Sequence, residues 1–155
     1  MKQPLAQRFE RIIKENLPKR KQMMSVLLES PLDSEVFYQK GMGVKSILKS
    51  IGRLTDFKGI YAFIENGKVV YIDESSYVIR RILRHYKGNS KYQRKLAHVM
   101  TSIHNQNQPL YMVADAIDAM KKMKLIFMDV PDDLERQLTT LYFQCQYECI
   151  YNRFD

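Results

Sequence analysis

Two short apolar runs in the middle of the chain, Ile60–Ile64 and Lys68–Ile72, have the composition of β-strands. Only Glu65, Asn66 and Gly67 separate them. Asn-Gly between two such runs is the strongest short-range signal for a hairpin, because both residues tolerate the positive φ that a tight turn needs. The pattern therefore predicts a β-hairpin over residues 60–72.

A helix is predicted directly after this hairpin. Ser76 can cap its N-terminus, and apolar side chains then follow at helical spacing. Arg81 and His85 are four residues apart, so the pattern places them on one face that points away from the apolar side. The result is a predicted cationic helix face opposite an apolar stripe of Ile79, Ile82, Leu83 and Tyr86.

Helical periodicity also marks the first third of the chain. Apolar residues recur at helical spacing over Leu5–Leu17, and Pro18 is expected to end that helix. A second helix is expected to end before Pro31, and a short one over Val44–Ile51. Residues 1–55 thus form a basic helical extension. It either packs its apolar stripes on the main domain or serves as an arm for nucleic acid or a partner protein.

The remaining residues, 56–155, are predicted to form the main domain. Lys91–His104 and Val113–Met120 have helical spacing, and the β-prone segment Lys124–Val130 predicts a third strand. Asp132 and Asp133 are well suited to begin a last helix. The fold class is therefore α+β, with a small, mainly antiparallel three-stranded sheet flanked by helices. The inward stripe of the last helix is expected to be Leu134, Leu138, Leu141, Tyr142, Cys145 and Cys149.

Composition places the chain among ordinary globular proteins. It has 155 residues, 45% hydrophobic and 27% charged, which suits one core and argues against disorder. No apolar run approaches the roughly 20 residues that cross a bilayer, and no signal-peptide region is evident. We therefore expect no membrane association and a cytoplasmic location. In that compartment Cys145 and Cys149 are expected to be buried free thiols.

Positive charge is concentrated around the helix that follows the hairpin. The formal net charge is +8, and the segment 80–95 has seven basic residues and no acidic one. Such a segment favours contact with a polyanion, since a solvated helix face usually mixes both signs. The predicted nucleic-acid contacts, apart from Arg81, are Arg80, Arg84, Lys87, Lys91, Arg94 and Lys95.

Two tripeptides in the hairpin resemble those of the GIY-YIG nuclease family. They are Gly59-Ile60-Tyr61 and Tyr71-Ile72-Asp73, where the family has Gly in the last place. The resemblance spans about Phe57 to Asp155 and includes an Arg ten residues after the second motif's Tyr, a His one turn later, and a closing Asn motif. In this chain these residues are Arg81, His85 and Asn152.

The resemblance implies a nuclease-like site built from Tyr61, Tyr71, Arg81, His85 and Asn152. In such a site a phenol can relay a proton from the attacking water. A guanidinium can neutralise the charge that builds on the scissile phosphate. Without the resemblance, both tyrosines are ordinary strand residues and the Arg is a solvated helix charge.

Two departures from the family bear on the chemistry. Where close relatives have a metal-binding Glu, twelve residues before the closing Asn, this chain has Thr140, a neutral hydroxyl that binds hard cations poorly. No metal is therefore expected at Thr140, and Mg²⁺ or Mn²⁺ would be needed only by an active enzyme. The carboxylates considered as replacements are Asp73, Glu74, Glu135 and Glu148.

Three functional hypotheses follow. The first is a GIY-YIG-fold protein that binds nucleic acid, DNA rather than RNA, with weak or no phosphodiester hydrolysis. The second is an active metal-dependent DNA endonuclease that uses a displaced carboxylate. The third is a protein-interaction or nuclease-inhibitor module that works through the N-terminal helices.

Overall fold

The computed structural model describes residues 2–153, which fold into helices around one β-sheet. The helices are α1 (Leu5–Arg11), α2 (Leu17–Glu29), α3 (Glu35–Tyr38), α4 (Val44–Ser50), α5 (Val78–Lys87), α6 (Lys95–His104), α7 (Val113–Lys121) and α8 (Asp133–Gln146), and a π-helical segment, Ile12–Asn16, joins α1 to α2. The strands are β1 (Leu32–Asp33), β2 (Gly59–Glu65), β3 (Lys68–Ser75) and β4 (Lys124–Asp129).

The sheet is antiparallel with the strand order β1-β4-β2-β3. Its centre is the predicted hairpin, β2–β3, whose turn holds Asn66 at φ 50° and Gly67 at φ 78°. β4 is the predicted third strand. The two-residue strand β1, which pairs with Leu125 and Lys124, was not predicted. The α+β fold class is thus confirmed, with one more short strand than expected.

The side chains of β2 alternate between two buried layers. Tyr61 and Phe63 face a core formed with α3 to α7, while Ile60, Ala62 and Ile64 face a second core under α2 and α8. β2 therefore has no solvent face, and the motif residue Tyr61 is an interior residue. The extension contributes to both layers, because Met24 lies in the second core and Phe37 in the first. A domain boundary at residues 55/56 stays a prediction.

Gly59 is required by the close approach of β2 and β4. A Cβ atom at this position would lie 2.2 Å from the carbonyl oxygen of Met128. Since real side chains never approach so closely, any larger residue would push the two strands apart. The glycine of the first motif thus has a packing role in the centre of the sheet.

The prediction that Pro18 ends the first helix was wrong. The chain continues in helical conformation from Leu5 to Glu29, with Pro18 in the first turn of α2. A missing N–H costs least in a first turn. Burial along this helix is partial, because Leu5 is 66% exposed and Phe9 45%, whereas Ile12, Leu17 and Met24 are buried.

The predicted inward face of α8 was wrong for Leu141 and Cys145. Leu141 is 49% exposed and Cys145 lies on the surface, so only Cys149 of the two free thiols is buried. The buried residues of α8 are Glu135, Arg136, Thr139, Thr140 and Phe143. A largely polar face can turn inward here because its charged members form ion pairs with other elements.

Two helix starts differ from their predictions. Ser76 does not cap α5; instead the carboxylate of Asp56 accepts from the N–H groups of Ile79 and Arg80, at 2.9 Å each. α6 begins at Lys95, and residues 91–94 form a turn before it. No helix in residues 2–153 is long and apolar enough to cross a membrane.

Candidate functional site

The motif tyrosines and His85 form one buried aromatic cluster between the hairpin and α5. Tyr61 and His85 are fully buried, and Tyr71 is 1% exposed. The Tyr61 hydroxyl lies 2.8 Å from Nε2 of His85, and the ring centroids of Tyr61 and Tyr71 both lie 5.7 Å from the imidazole centroid. Phe63 completes the cluster, with its ring centroid 5.6 Å from that of His85. Tyr61, Tyr71 and His85 are thus brought together as expected, but in the interior, and Phe63 was not predicted among them.

His85 is therefore not part of a cationic helix face, and that prediction was wrong. The backbone N–H of Leu96 donates to Nδ1 of His85 at 3.4 Å. This hydrogen bond assigns the ring proton to Nε2, which donates to the Tyr61 oxygen. Burial lowers the pKa of His85 well below its usual value, and the charges of Arg81 and Lys95 lower it further. His85 is thus a neutral core residue.

Asp73, which stands where the family has Gly, is bonded to Tyr71. The Tyr71 hydroxyl donates to its carboxylate at 2.9 Å, and the backbone N–H of Glu74 donates to the other oxygen at 2.9 Å. No positive φ occurs at Asp73, so Asp fits the backbone there without strain. Burial raises the pKa of both Tyr61 and Tyr71 well above the usual value, and Asp73 adds to this. Both phenols therefore stay protonated at neutral pH.

Arg81 lies at the boundary between the aromatic cluster and the surface. Its guanidinium donates to the backbone oxygen of Tyr92 at 3.1 Å and lies 4.8 Å from the centroid of the Tyr92 ring. Burial opposes the charge, but the neighbouring Tyr61, Tyr71 and Asp73 raise the pKa of Arg81 above its usual range. Arg81 is thus a permanent cation that connects the buried cluster to the outer face of α5.

Asn152 binds the free edge of β3. Its side-chain oxygen accepts from the N–H of Ile72 at 2.8 Å, and its amide donates to the oxygen of Ile72 at 2.9 Å. Gln144 of α8 donates to the same carbonyl at 2.7 Å. The Asn152 side chain thus satisfies both backbone groups of Ile72, as a neighbouring strand would.

Thr140 is buried on α8, and its hydroxyl donates to the carbonyl oxygen of Arg136, 2.7 Å away. The carboxylate of Glu74 is bound to the guanidinium of Arg136, which is 6% exposed and also pairs with Asp133 at 2.8 Å. The same guanidinium donates to the oxygen of Val130 at 3.1 Å. The buried guanidinium of Arg136, one turn from Thr140, thus lies at the interface between β3 and α8, which we call the β3–α8 seam.

Two of the other replacement carboxylates lie away from this seam. Glu135 is buried and accepts from Arg20 at 2.7 Å and from Asn16 at 3.1 Å. Glu148 is exposed in the turn after α8, at φ 49°. In residues 2–153 no three His, Cys, Asp or Glu side chains are grouped so as to hold a metal ion. The residues present therefore do not fit the divalent cation that the resemblance implies.

The predicted basic residues of α5 and the following turn lie mostly on the surface. Arg94 is half-buried, and Lys87 is directed elsewhere, because its ammonium donates to the carbonyl oxygens of Gln39 and Met42, at 2.7 and 3.1 Å. Lys87 is exposed as well, and the other exposed cations of the predicted set are Arg80, Arg84, Lys91 and Lys95.

Two exposed tyrosines on this surface were missed by the sequence analysis. Tyr77 is 57% exposed and Tyr92 is 75% exposed. The guanidinium of Arg80 lies 5.2 Å from the Tyr77 ring centroid, as Arg81 does at 4.8 Å from that of Tyr92. The signal was present in the sequence, because each tyrosine lies within three residues of basic side chains.

No family model matches the chain, and no curated protein does. Two solved structures are similar to it, both of the GIY-YIG N-terminal endonuclease domain of UvrC from Thermotoga maritima. Each is a point mutant bound to the catalytic divalent cation. Each match has 17% sequence identity and a TM-score of 0.41, and covers 68% of this chain and 93% of that one. At this sequence identity and TM-score the likeness assigns no role to any residue of this chain.

Proposed function

We propose that this protein is a cytoplasmic GIY-YIG-like protein that binds nucleic acid, DNA rather than RNA, with weak or no phosphodiester hydrolysis. The observation that carries the proposal is the basic surface of α5 and the turn after it. There the exposed cations Arg80, Arg84 and Lys91 lie beside two exposed tyrosines, and the segment 80–95 contains no carboxylate side chain. We name this surface, with Tyr77 and Tyr92, the basic face.

Each part of the basic face suits one part of a nucleic-acid strand. Lys and Arg neutralise phosphates and release counterions. Each phosphate contact therefore lowers the logarithm of the binding constant by about 0.7 to 0.9 for every tenfold rise in salt concentration. Exposed tyrosines stack on unpaired bases, and each such stack contributes about 1–3 kcal/mol. Tyr77 and Tyr92 therefore favour single-stranded segments over an uninterrupted duplex.

The expectation of weak or no hydrolysis rests on the surroundings of the motif residues. Tyr61 is fully buried, and burial raises the pKa of its phenol, so it is a poor general base near pH 7. Glu74 and Glu135 are engaged in ion pairs with Arg136 and Arg20. A catalytic role for Tyr61, Tyr71, Arg81, His85 and Asn152 stays a prediction.

Fluorescence anisotropy with labelled single-stranded DNA, duplex DNA and RNA across a salt series tests the binding. Arg80→Gln and Arg84→Gln should each weaken binding and lower the salt slope by about 0.7 to 0.9. Tyr92→Ala should weaken binding to single strands, and Tyr92→Phe should not. Lys14→Gln, at an exposed lysine of the extension, removes the same charge as a control. Salt-independent binding, or an equal loss in the control, would contradict the proposal.

Plasmid nicking at low salt with Mg²⁺ or Mn²⁺ tests the statement on hydrolysis. Little or no nicking is expected from the wild-type protein. Metal-dependent nicking that disappears in Arg81→Ala would instead identify an active endonuclease with a carboxylate supplied from elsewhere.

A protein-binding module is the second candidate, and the exposed apolar side chains of the extension favour it. Leu5, Phe9 and Ile13 recur every four residues and are 66%, 45% and 40% exposed. This candidate predicts little salt-dependent DNA binding. It also predicts a stoichiometric complex with another protein, and Phe9→Asp should abolish that complex. The DNA titrations therefore discriminate between the two candidates.

A further inference from the structure

A small basic cavity lies next to the basic face, on the outer side of α6. Its volume is about 220 Å³. Lys95, His98 and Ser102 line it from one face of α6, since they are three and four residues apart. The preceding turn and the end of the described chain supply the other cations. The lining residues are Lys91, Lys95, His98, Val99, Ser102 and Arg153.

The charge of this cavity is not neutralised within the described chain. Among residues 2–153, Lys91, Lys95 and Arg153 take part in no salt bridge. Partial burial lowers the pKa of His98, and the charges of Lys91 and Arg94 lower it further. Three cations and a hydroxyl around one concave space are the donor set that an anion with several oxygens requires.

We propose that this cavity binds a phosphate monoester, the group that ends a phosphorylated nucleic-acid strand. A monoester carries a charge of about −1.5 to −2 at pH 7 and three acceptor oxygens. A phosphodiester within a strand carries a single charge and has two free oxygens. A set of three cations therefore matches the monoester better. A strand end can also enter a concave site that a continuous backbone must pass over.

The basic face and the cavity are adjacent through Tyr92. Arg81 of α5 lies over the Tyr92 ring, and Tyr92 directly follows Lys91, which lines the cavity. A strand whose bases stack on Tyr92 would place its terminal phosphate near Lys91. The inference thus rests on the proposed function and adds to it a preference for phosphorylated ends.

The test compares three single-stranded DNAs of one sequence: 5′-phosphorylated, 3′-phosphorylated and unphosphorylated. Wild-type protein should bind one phosphorylated form about tenfold more tightly than the unphosphorylated form. Arg153→Gln and Ser102→Ala, which change cavity residues outside the basic face, should each strongly reduce this preference while keeping binding of the unphosphorylated strand. Arg84→Gln is the matched control, because it should weaken all three DNAs by a similar factor and preserve the ratio.

Inorganic phosphate provides a second, independent probe. Its binding should raise the pKa of His98 in an NMR titration of the histidine ring protons, and Lys95→Gln should remove the shift. His104, whose Nε2 lies 3.0 Å from the Tyr151 hydroxyl, is outside the cavity lining and serves as an internal reference. A His98 signal that responds to phosphate no more than His104 does would overturn the proposal.

The two proposals can fail separately. Equal affinity for phosphorylated and unphosphorylated strands, with salt-dependent binding retained, would overturn the monoester site and leave the basic face intact. If both cavity variants still prefer the phosphorylated strand, the monoester site is likewise overturned and the basic face is left intact. A phosphate-dependent shift of His98 without binding of unphosphorylated strands would support the monoester site and count against strand binding by the basic face.

Discussion

The buried His85 predicts a specific dependence of stability on pH. Burial lowers its pKa well below the usual value of about 6.5, so the folded protein holds this ring neutral while the unfolded chain protonates it. Below pH 6.5 the unfolded state therefore binds one more proton than the folded state. By linkage, the free energy of unfolding falls as the pH falls, at up to about 1.4 kcal/mol per pH unit.

The size of the effect follows from the pH window. Between pH 6.5 and pH 5 the loss should approach about 1.6 kcal/mol, a large part of a typical domain's stability. The lowered pKa values of Asp132 and Asp133 reduce stability mainly below about pH 5, where the unfolded carboxyls begin to protonate, and so act mostly outside this window. Above pH 7 the contribution of His85 should be constant.

Urea unfolding followed by far-UV circular dichroism measures this dependence. His85→Phe keeps an aromatic ring in the cluster and removes the titrating group, so the slope between pH 6.5 and pH 5 should largely disappear. Above pH 7 the variant should be less stable than the wild type, because the Tyr61 hydroxyl and the Leu96 N–H lose their partner, and this difference should shrink as the pH falls. The slope is therefore the readout, and the stability above pH 7 is not.

A control variant separates His85 from the other histidine whose pKa is lowered. His98 is partly buried near the surface, and His98→Gln should change the slope much less than His85→Phe does. An unchanged slope in His85→Phe would refute the reasoning, since it would mean that His85 can be protonated inside the fold at little cost.

Three substitutions test the contacts around the sheet by equilibrium unfolding. Arg136→Ala should cost about 1–3 kcal/mol, because it leaves the half-buried carboxylate of Glu74 and the buried carbonyl of Val130 without their partner; a loss well under 1 kcal/mol would show that the ion pair is not a structural one. Asn152→Ala should cost about 1–3 kcal/mol and speed hydrogen exchange of the Ile72 amide, and an unaltered exchange rate would contradict the assigned pairing. Gly59→Ala should cost at least about 2 kcal/mol through its clash with the Met128 carbonyl, whereas near-native stability would mean that the strands can separate easily.

The parts of the fold that depend on neighbouring residues could be predicted from the sequence. Asn66 and Gly67 define the hairpin through their own φ values. Asp132 caps α8 by accepting from the N–H of Glu135 at 2.9 Å, three residues away. Such contacts are set by the local sequence, so the position and type of these elements were predicted well.

The parts that failed depend on partners distant in the sequence. Asp56 caps α5 from a loop more than twenty residues before Ile79, which no local pattern indicates. His85 is four residues from Arg81, and periodicity alone put both on the surface. In the structure the ring of His85 packs among Tyr61, Phe63 and Tyr71 of the hairpin and accepts from the N–H of Leu96 in α6, contacts that no local pattern indicates. Of the predicted site, the cluster of tyrosines and histidine could thus be predicted, but its burial could not.

The inward face of α8 shows why a single carboxylate at position 140 would not make a metal site. At the position where the resemblance places a metal-binding Glu, Thr140 bonds only to its own helix. One turn earlier Arg136 brings a fixed positive charge to Glu74, so a cation is already present in the seam. A carboxylate introduced by Thr140→Glu would lie four residues from that guanidinium, at the spacing that favours an ion pair within a helix. It would therefore pair with Arg136 before it could bind a metal ion. A carboxylate at position 140 is thus not equivalent to a metal site, because the neighbouring guanidinium of Arg136 would neutralise it.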